Sequence, residues 1–191
     1  MQIVLYERKN RIAEQIRILE SMMLYVHATT KLAKAVHVKL GPAPEGMDAR
    51  WIDSWYANVF KMEHHGQAVL LTNPETLYTI VIPIASKSIP LFAVLEQFRG
   101  KLAMAMGANG ASSSVIKTIV NDLQQFQVYK TANRSVLGSM NDMVFHAQYL
   151  AEHRPECSVE TIEAQLNRIP LSPLGYGYSV EKFASKILLT T

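Results

Sequence analysis

Between Thr131 and Met143 the chain reads TANRSVLGSMNDM, which sets Asn133, Arg134, Ser135, Ser139, Asn141 and Asp142 among apolar residues at helical spacing. In a helix starting near Asn133, residues three, four and seven apart share a face, so Arg134, Leu137 and Asn141 lie together. Ser135, Ser139, Asp142 and His146 form a neighbouring polar stripe. Arg134 and the unpaired amides of the helix N-terminus would suit a phosphate or a carboxylate. Equally, Asn133 caps the helix and Arg134 pairs with a nearby acid, which makes the segment architectural. Asp142 and His146 stand four apart, so the carboxylate can orient the imidazole as half of a general-base arrangement. Ser139 lies within one turn, but no GxSxG elbow presents a nucleophile. The leading expectation is a ligand- or partner-binding module. A small hydrolase or nuclease-like enzyme, using Asp142 and His146 with Arg134 as anion stabiliser, is the alternative.

A second candidate set lies on WYANVF, where Trp55, Tyr56 and Asn58, with Trp51 upstream, could offer aromatic faces to a base or a partner. Core packing is the ordinary use of such residues on a strand. His64 and His65 are adjacent in EHHGQ and accompany no HExxH-type ligand set, so two histidines in a turn account for them better than a metal site. His27 reads as a half-buried, hydrogen-bonded strand residue. There is no Walker loop and no GxGxxG, and no cofactor is implied.

These residues need elements to hold them. Leu24, Val26 and Ala28 alternate with Tyr25 and His27 and predict a strand, followed by a short helix capped by Thr29 or Thr30. A Pro- and Gly-punctuated loop from Leu40 to Asp53 leads to WYANVFKM, AVLLTN and LYTIVIPI, three strands joined by short turns, which predict an antiparallel meander with Pro83 at an edge or strand end. From Ser88 the period becomes helical, through Leu91, Leu95, Phe98 and Leu102. A second helix, capped by Ser113 or Ser114, follows, and QVYKT adds a short extended piece. A third helix over about 134–153 should bury Val136, Met140, Val144 and Ala147. Ser158 caps a fourth. Strands early and helices late predict an α+β fold, with a small antiparallel sheet from the N-terminal half packed on one face against a helical C-terminal half.

The 191 residues suffice for one well-buried core, and 49% hydrophobic against 18% charged residues argues against disorder over most of the length. The formal charge of +3 is spread along the chain. Its densest basic stretch, Arg8, Lys9 and Arg11, supports nucleic-acid binding only weakly. The single cysteine, Cys157, excludes an internal disulfide and suits a reducing cytoplasm. No apolar run reaches the roughly 20 residues of a bilayer span, and no signal-like N-terminus precedes the first strand, so neither a membrane nor export is expected.

Taken together, LYVHATTKL, WYANVF, LLTNPETLYTIVIP, KTANRSVLGSMND and LNRIPLSPLGY resemble a family of uncharacterised bacterial domains, over about residues 22–178. NRSVLGSMND is the most specific part. The resemblance implies a domain of unknown function, with no activity, cofactor or catalytic residue to carry across. It divides the chain into an N-terminal extension over 1–21, a single α+β domain over 22–178 and a C-terminal tail over 179–191 that reads as helical. The extension is either an added helix, with Ile12, Ile16 and Leu19 on one stripe, or the product of an upstream start, since codons for Leu19 and Glu20 can contain GGAG just ahead of Met22 and Met23.

Overall fold

The computed structural model describes residues 23–45, 49–84 and 90–190. The expectations for 1–21 and for Ser88 as a helix cap lie outside these. Strand β1 (Leu24–Ala28) leads to the short helix α1 (Thr30–Ala35), capped by the Thr29 hydroxyl, which accepts from the Leu32 N–H. The meander follows as β2 (Ser54–Met62), β3 (Gly66–Thr72) and β4 (Thr79–Ile84), antiparallel throughout. Helices α2 (Leu91–Ala108) and α3 (Ser113–Asp122) precede β5 (Phe126–Lys130). After it come α4 (Arg134–His153) and α5 (Val159–Leu166). A small hairpin, β6 (Pro170–Leu171) and β7 (Gly177–Tyr178), closes through a 3-10 turn and delivers the chain to α6 (Ser179–Leu188).

The fold is α+β. The five large strands run in the order β4-β3-β2-β1-β5, and β1 is parallel to both β2 and β5, so the antiparallel meander is one part of a mixed sheet. Helices cover both faces rather than one. On one side Val26, Trp55, Val69, Leu71 and Ile80 pack with Phe98 and Leu102 of α2, Ile119 of α3 and Phe183 and Ile187 of α6. On the other, Tyr56, Phe60, Leu70 and Val81 pack with Val136, Met140, Met143 and Ala147 of α4 and Ile162 and Leu166 of α5. The physical reason lies in AVLL of β3, where Ala68, Val69, Leu70 and Leu71 are all buried. A strand buried on both faces is a continuous apolar run rather than an alternation.

Several local details differ from the periodicity. Ser112, not Ser113 or Ser114, caps α3, and Pro90 stands at the start of α2 without a side-chain cap. Met143 takes the buried position expected of Val144, which is half-buried. Residues 179–188 form no detached tail: Phe183 is fully buried, stacks on Tyr78 at 4.1 Å and meets Trp51 edge-on at 5.6 Å.

The outer edge of β4 is closed by side chains. The Asn167 amide accepts from the Thr79 N–H at 2.8 Å and donates to the Thr79 carbonyl at 2.7 Å, as another strand's peptide would. One turn along, Glu163 accepts from the Val81 N–H at 2.6 Å and from Lys101, which also donates to the Val81 carbonyl at 2.9 Å. Exposed edges invite pairing with other chains, and this one is blocked by α5 and α2.

Candidate functional site

The α4 motif is built on an anchored start. Asn133 leaves β5 in extended conformation, and its side-chain oxygen accepts from the N–H groups of Ser135 and Val136 at 3.0 and 3.2 Å, satisfying two of the orphan donors of the helix N-terminus. Its own N–H donates to the Tyr56 hydroxyl at 3.3 Å. Tyr56 in turn stacks on His27, with ring centroids 4.7 Å apart. Burial pushes the His27 imidazole below its usual range, partly opposed by the Lys130 backbone, and its Nε2 lies 3.0 Å from the Ser54 hydroxyl. Asn58 accepts from the Thr29 hydroxyl at 2.8 Å. Tyr56 and Asn58 therefore position the motif and α1. Trp55 is set apart from both: it is fully buried on the opposite face, edge-on to Phe98, with its indole N–H on the Ile52 carbonyl.

From this anchor the helix turns the motif's apolar residues inward and its polar residues outward. Val136, Met140 and Met143 enter the core, while Arg134, Ser135, Asn141 and Asp142 are exposed. Among the described residues, none of those four side chains makes a hydrogen bond or an ion pair, so the acid partner expected for Arg134 is not found. At their centre is Gly138, whose neighbours one helical turn away on either side are these same four residues. A Cβ built on Gly138 would meet nothing within 4 Å. The result is a flat backbone floor ringed by a guanidinium, a hydroxyl, an amide and a carboxylate.

Beside this floor, a cleft of about 220 Å³ opens between α4 and the β6–β7 hairpin, lined by Ser139, Asp142, His146, Leu171 and Tyr176, among others. Ser139 is only 5% exposed and yet has no hydrogen bond among the described residues. The cleft's rim carries Tyr176, 74% exposed and held at a positive φ of 62°, and Phe145, 66% exposed. Neither was anticipated from sequence. Phe145 had a signal, being a large apolar residue off the buried stripe of α4; Tyr176, in GYGY, had only its glycine neighbours.

Chemically, the cleft offers a carboxylate, an imidazole and a hydroxyl to a polar ligand. Ser139, Asp142 and His146 do share it, but no hydrogen bond or ion pair joins any two of them, and Arg134 is not among its lining residues. His64 and His65 fall in the β2–β3 turn, and among the described residues no group of three His, Cys, Asp or Glu could hold a metal ion. No described helix is long and apolar enough to cross a membrane.

These features define a class: an α+β domain with helices on both faces of a mixed sheet, whose polar segment 133–142 lies at a solvent-facing helix surface. The family model described as domain of unknown function DUF6933 matches residues 25–182, and the chain belongs to that family. No curated protein and no solved structure matches the chain.

Proposed function

We propose that this domain is a binding module whose recognition surface is the outward face of α4 around Gly138, continued into the cleft lined by Ser139, Asp142 and His146. The observation that carries this reading is the unpaired state of Arg134, Ser135, Asn141 and Asp142. Buried polar groups that support the fold are satisfied within it, as Asn73 and Asn167 are here, whereas these four side chains face solvent and are free to meet an outside partner. Ser139 adds a nearly buried hydroxyl with its hydrogen-bonding capacity unspent. Tyr56, Asn58 and Asn133 act as supports for this surface, and Trp55 belongs to the core.

The test is the thermal midpoint of Arg134→Ala and Asp142→Ala beside the parent, followed by a thermal-shift screen of polar small molecules on all three. Midpoints within about 2 °C of the parent, with hits lost in the variants, support the reading, since surface substitutions away from structural features shift stability by about 0.5 kcal/mol or less. Drops of several degrees in both variants would assign the motif to the fold and overturn it. A hydrolytic use of the cleft is the second reading, favoured by Ser139, Asp142 and His146 sharing one concavity. It calls for esterase or phosphodiesterase turnover that vanishes in His146→Ala.

A further inference from the structure

A second site, sharing no lining residue with the α4 cleft, lies at the carboxyl ends of the parallel strands β1 and β5. β1 and β5 are adjacent and parallel. The chain leaves β1 into α1, whose Leu32 joins the core beneath α2 and α6, and leaves β5 into α4, which joins the opposite core. Where two neighbouring parallel strands send their connections to opposite faces, a crevice opens beyond their carboxyl ends, and such crevices are where α/β sheets hold ligands. Here it is a depression of about 640 Å³, bounded by Thr30 just after β1 and Lys130 at the end of β5. The depression is shallow and open to solvent.

Its lining has one sign of charge. Lys34, Lys39 and Lys130 face it together with His37, and among the described residues no aspartate or glutamate lines it. None of the three lysines has an ion pair or side-chain hydrogen bond among the described residues. Some cations elsewhere are neutralised, Lys101 by Glu163 at 2.9 Å, Lys186 by Glu75 at 2.5 Å and Arg50 by Asp53 and Asp122 at 2.7 Å each, so what marks this depression is three unpaired lysines facing one space. His37 occupies the left-handed position that ends α1, with φ +55° and the following Val38 N–H bonded back to the Ala33 carbonyl. Glycine or asparagine is the usual residue at such a helix end. A histidine there accepts backbone strain and places an imidazole at the depression. Ala33, Val38 and Leu40 supply an apolar wall.

We propose that this crevice binds a phosphate-bearing ligand of nucleotide size, with Lys34, Lys39 and Lys130 taking the phosphates and the apolar wall taking a flat ring. The phosphate can belong to a free nucleotide or to a single nucleic-acid strand, and the probes separate these sources. Binding of a nucleoside diphosphate and of a ten-residue oligothymidylate is measured by titration calorimetry or fluorescence anisotropy at low and raised salt. The proteins are the parent, Lys34→Glu/Lys130→Glu, and the charge-matched control Lys117→Glu/Lys182→Glu, whose substituted residues lie outside the crevice.

The expected result is binding to the parent that weakens with salt, falls at least tenfold in Lys34→Glu/Lys130→Glu, and is kept in the control. Similar affinities for both probes assign a free nucleotide. An oligonucleotide at least tenfold tighter than the diphosphate assigns a strand. Absence of binding by both probes at low salt, or an equal loss in the control pair, overturns the site. Thermal midpoints of both double variants establish that each is folded.

Discussion

Asn-Arg occurs at 133–134, opening α4, and at 167–168, closing α5; both asparagines bond inside the chain, and the two regions differ in how far that closure extends. Asn167 is 3% exposed and uses its whole amide: its oxygen accepts from Thr79 and Ser179, and its nitrogen donates to the carbonyls of Thr79 and Glu163. Downstream of Asn133, the guanidinium, hydroxyl, amide and carboxylate around Gly138 reach nothing in the chain. The difference teaches that a polar motif's composition does not reveal its use. What separates the two regions is whether the hydrogen bonds close inside the molecule.

The largest effect should come from breaking the closed region. Asn167→Ala orphans the N–H and carbonyl of Thr79 and removes the shorter of two contacts of the buried Ser179 hydroxyl, which keeps the backbone carbonyl of residue 167. Each unsatisfied buried group costs about 1 to 3 kcal/mol, so a loss of about 3 kcal/mol or more is expected. For a chain of this size that lowers the thermal midpoint by about 6 to 12 °C. It should also unblock the β4 edge, seen as concentration-dependent association in light scattering. A midpoint within about 2 °C of the parent would mean that the α5 clamp on β4 is dispensable.

Next comes the support beneath the open region. Burial lowers the His27 pKa from 6.5, so the folded protein resists a proton that the unfolded chain takes up. Stability from this group is fully present above the unfolded value and is lost as pH falls from there through the lower, folded value. The parent's midpoint should therefore fall on acidification from pH 7.5 to 5, and His27→Asn should flatten that fall even though it starts lower. Parallel profiles for the two proteins would remove His27 as the cause. Asn133→Ala should cost about 1 kcal/mol, the usual worth of such a cap, or about 2 to 4 °C by scanning fluorimetry.

Much of this architecture was legible. Thr29, Asn133 and Ser158 are caps by residue type, and each heads a run of helical period, so the starts of α1, α4 and α5 follow from chemistry local to a few residues. The meander was legible for the same reason, since its turns are short. The parallel pairing of β1 with β2 and β5 was not: it joins Val26 to Trp55 and Val128 across long connections, and alternation within LYVHA says nothing about its neighbours. Alternation on WYANVF puts Trp55 and Tyr56 on opposite faces, but it could not reveal that helices bury both. At the candidate site, spacing placed Asp142 and His146 together, whereas the cleft's other wall comes from 169–176, a hairpin whose packing onto α4 depends on Leu171 and the whole fold.

The smallest expected effect is the sharpest test of the comparison. Glycine inside a helix costs roughly 0.5 to 1 kcal/mol relative to alanine, and α4 carries Gly138 where a methyl group would meet nothing within 4 Å. Folding alone therefore favours Gly138→Ala, which should raise the thermal midpoint by about 1 to 4 °C. Recognition across that bare backbone should suffer, because the added methyl stands in the middle of the ring formed by Arg134, Ser135, Asn141 and Asp142. A variant that is more stable and weaker in binding separates the two roles within one residue. If Gly138→Ala is instead destabilised, the glycine serves the helix itself, and this face is not held open for a ligand.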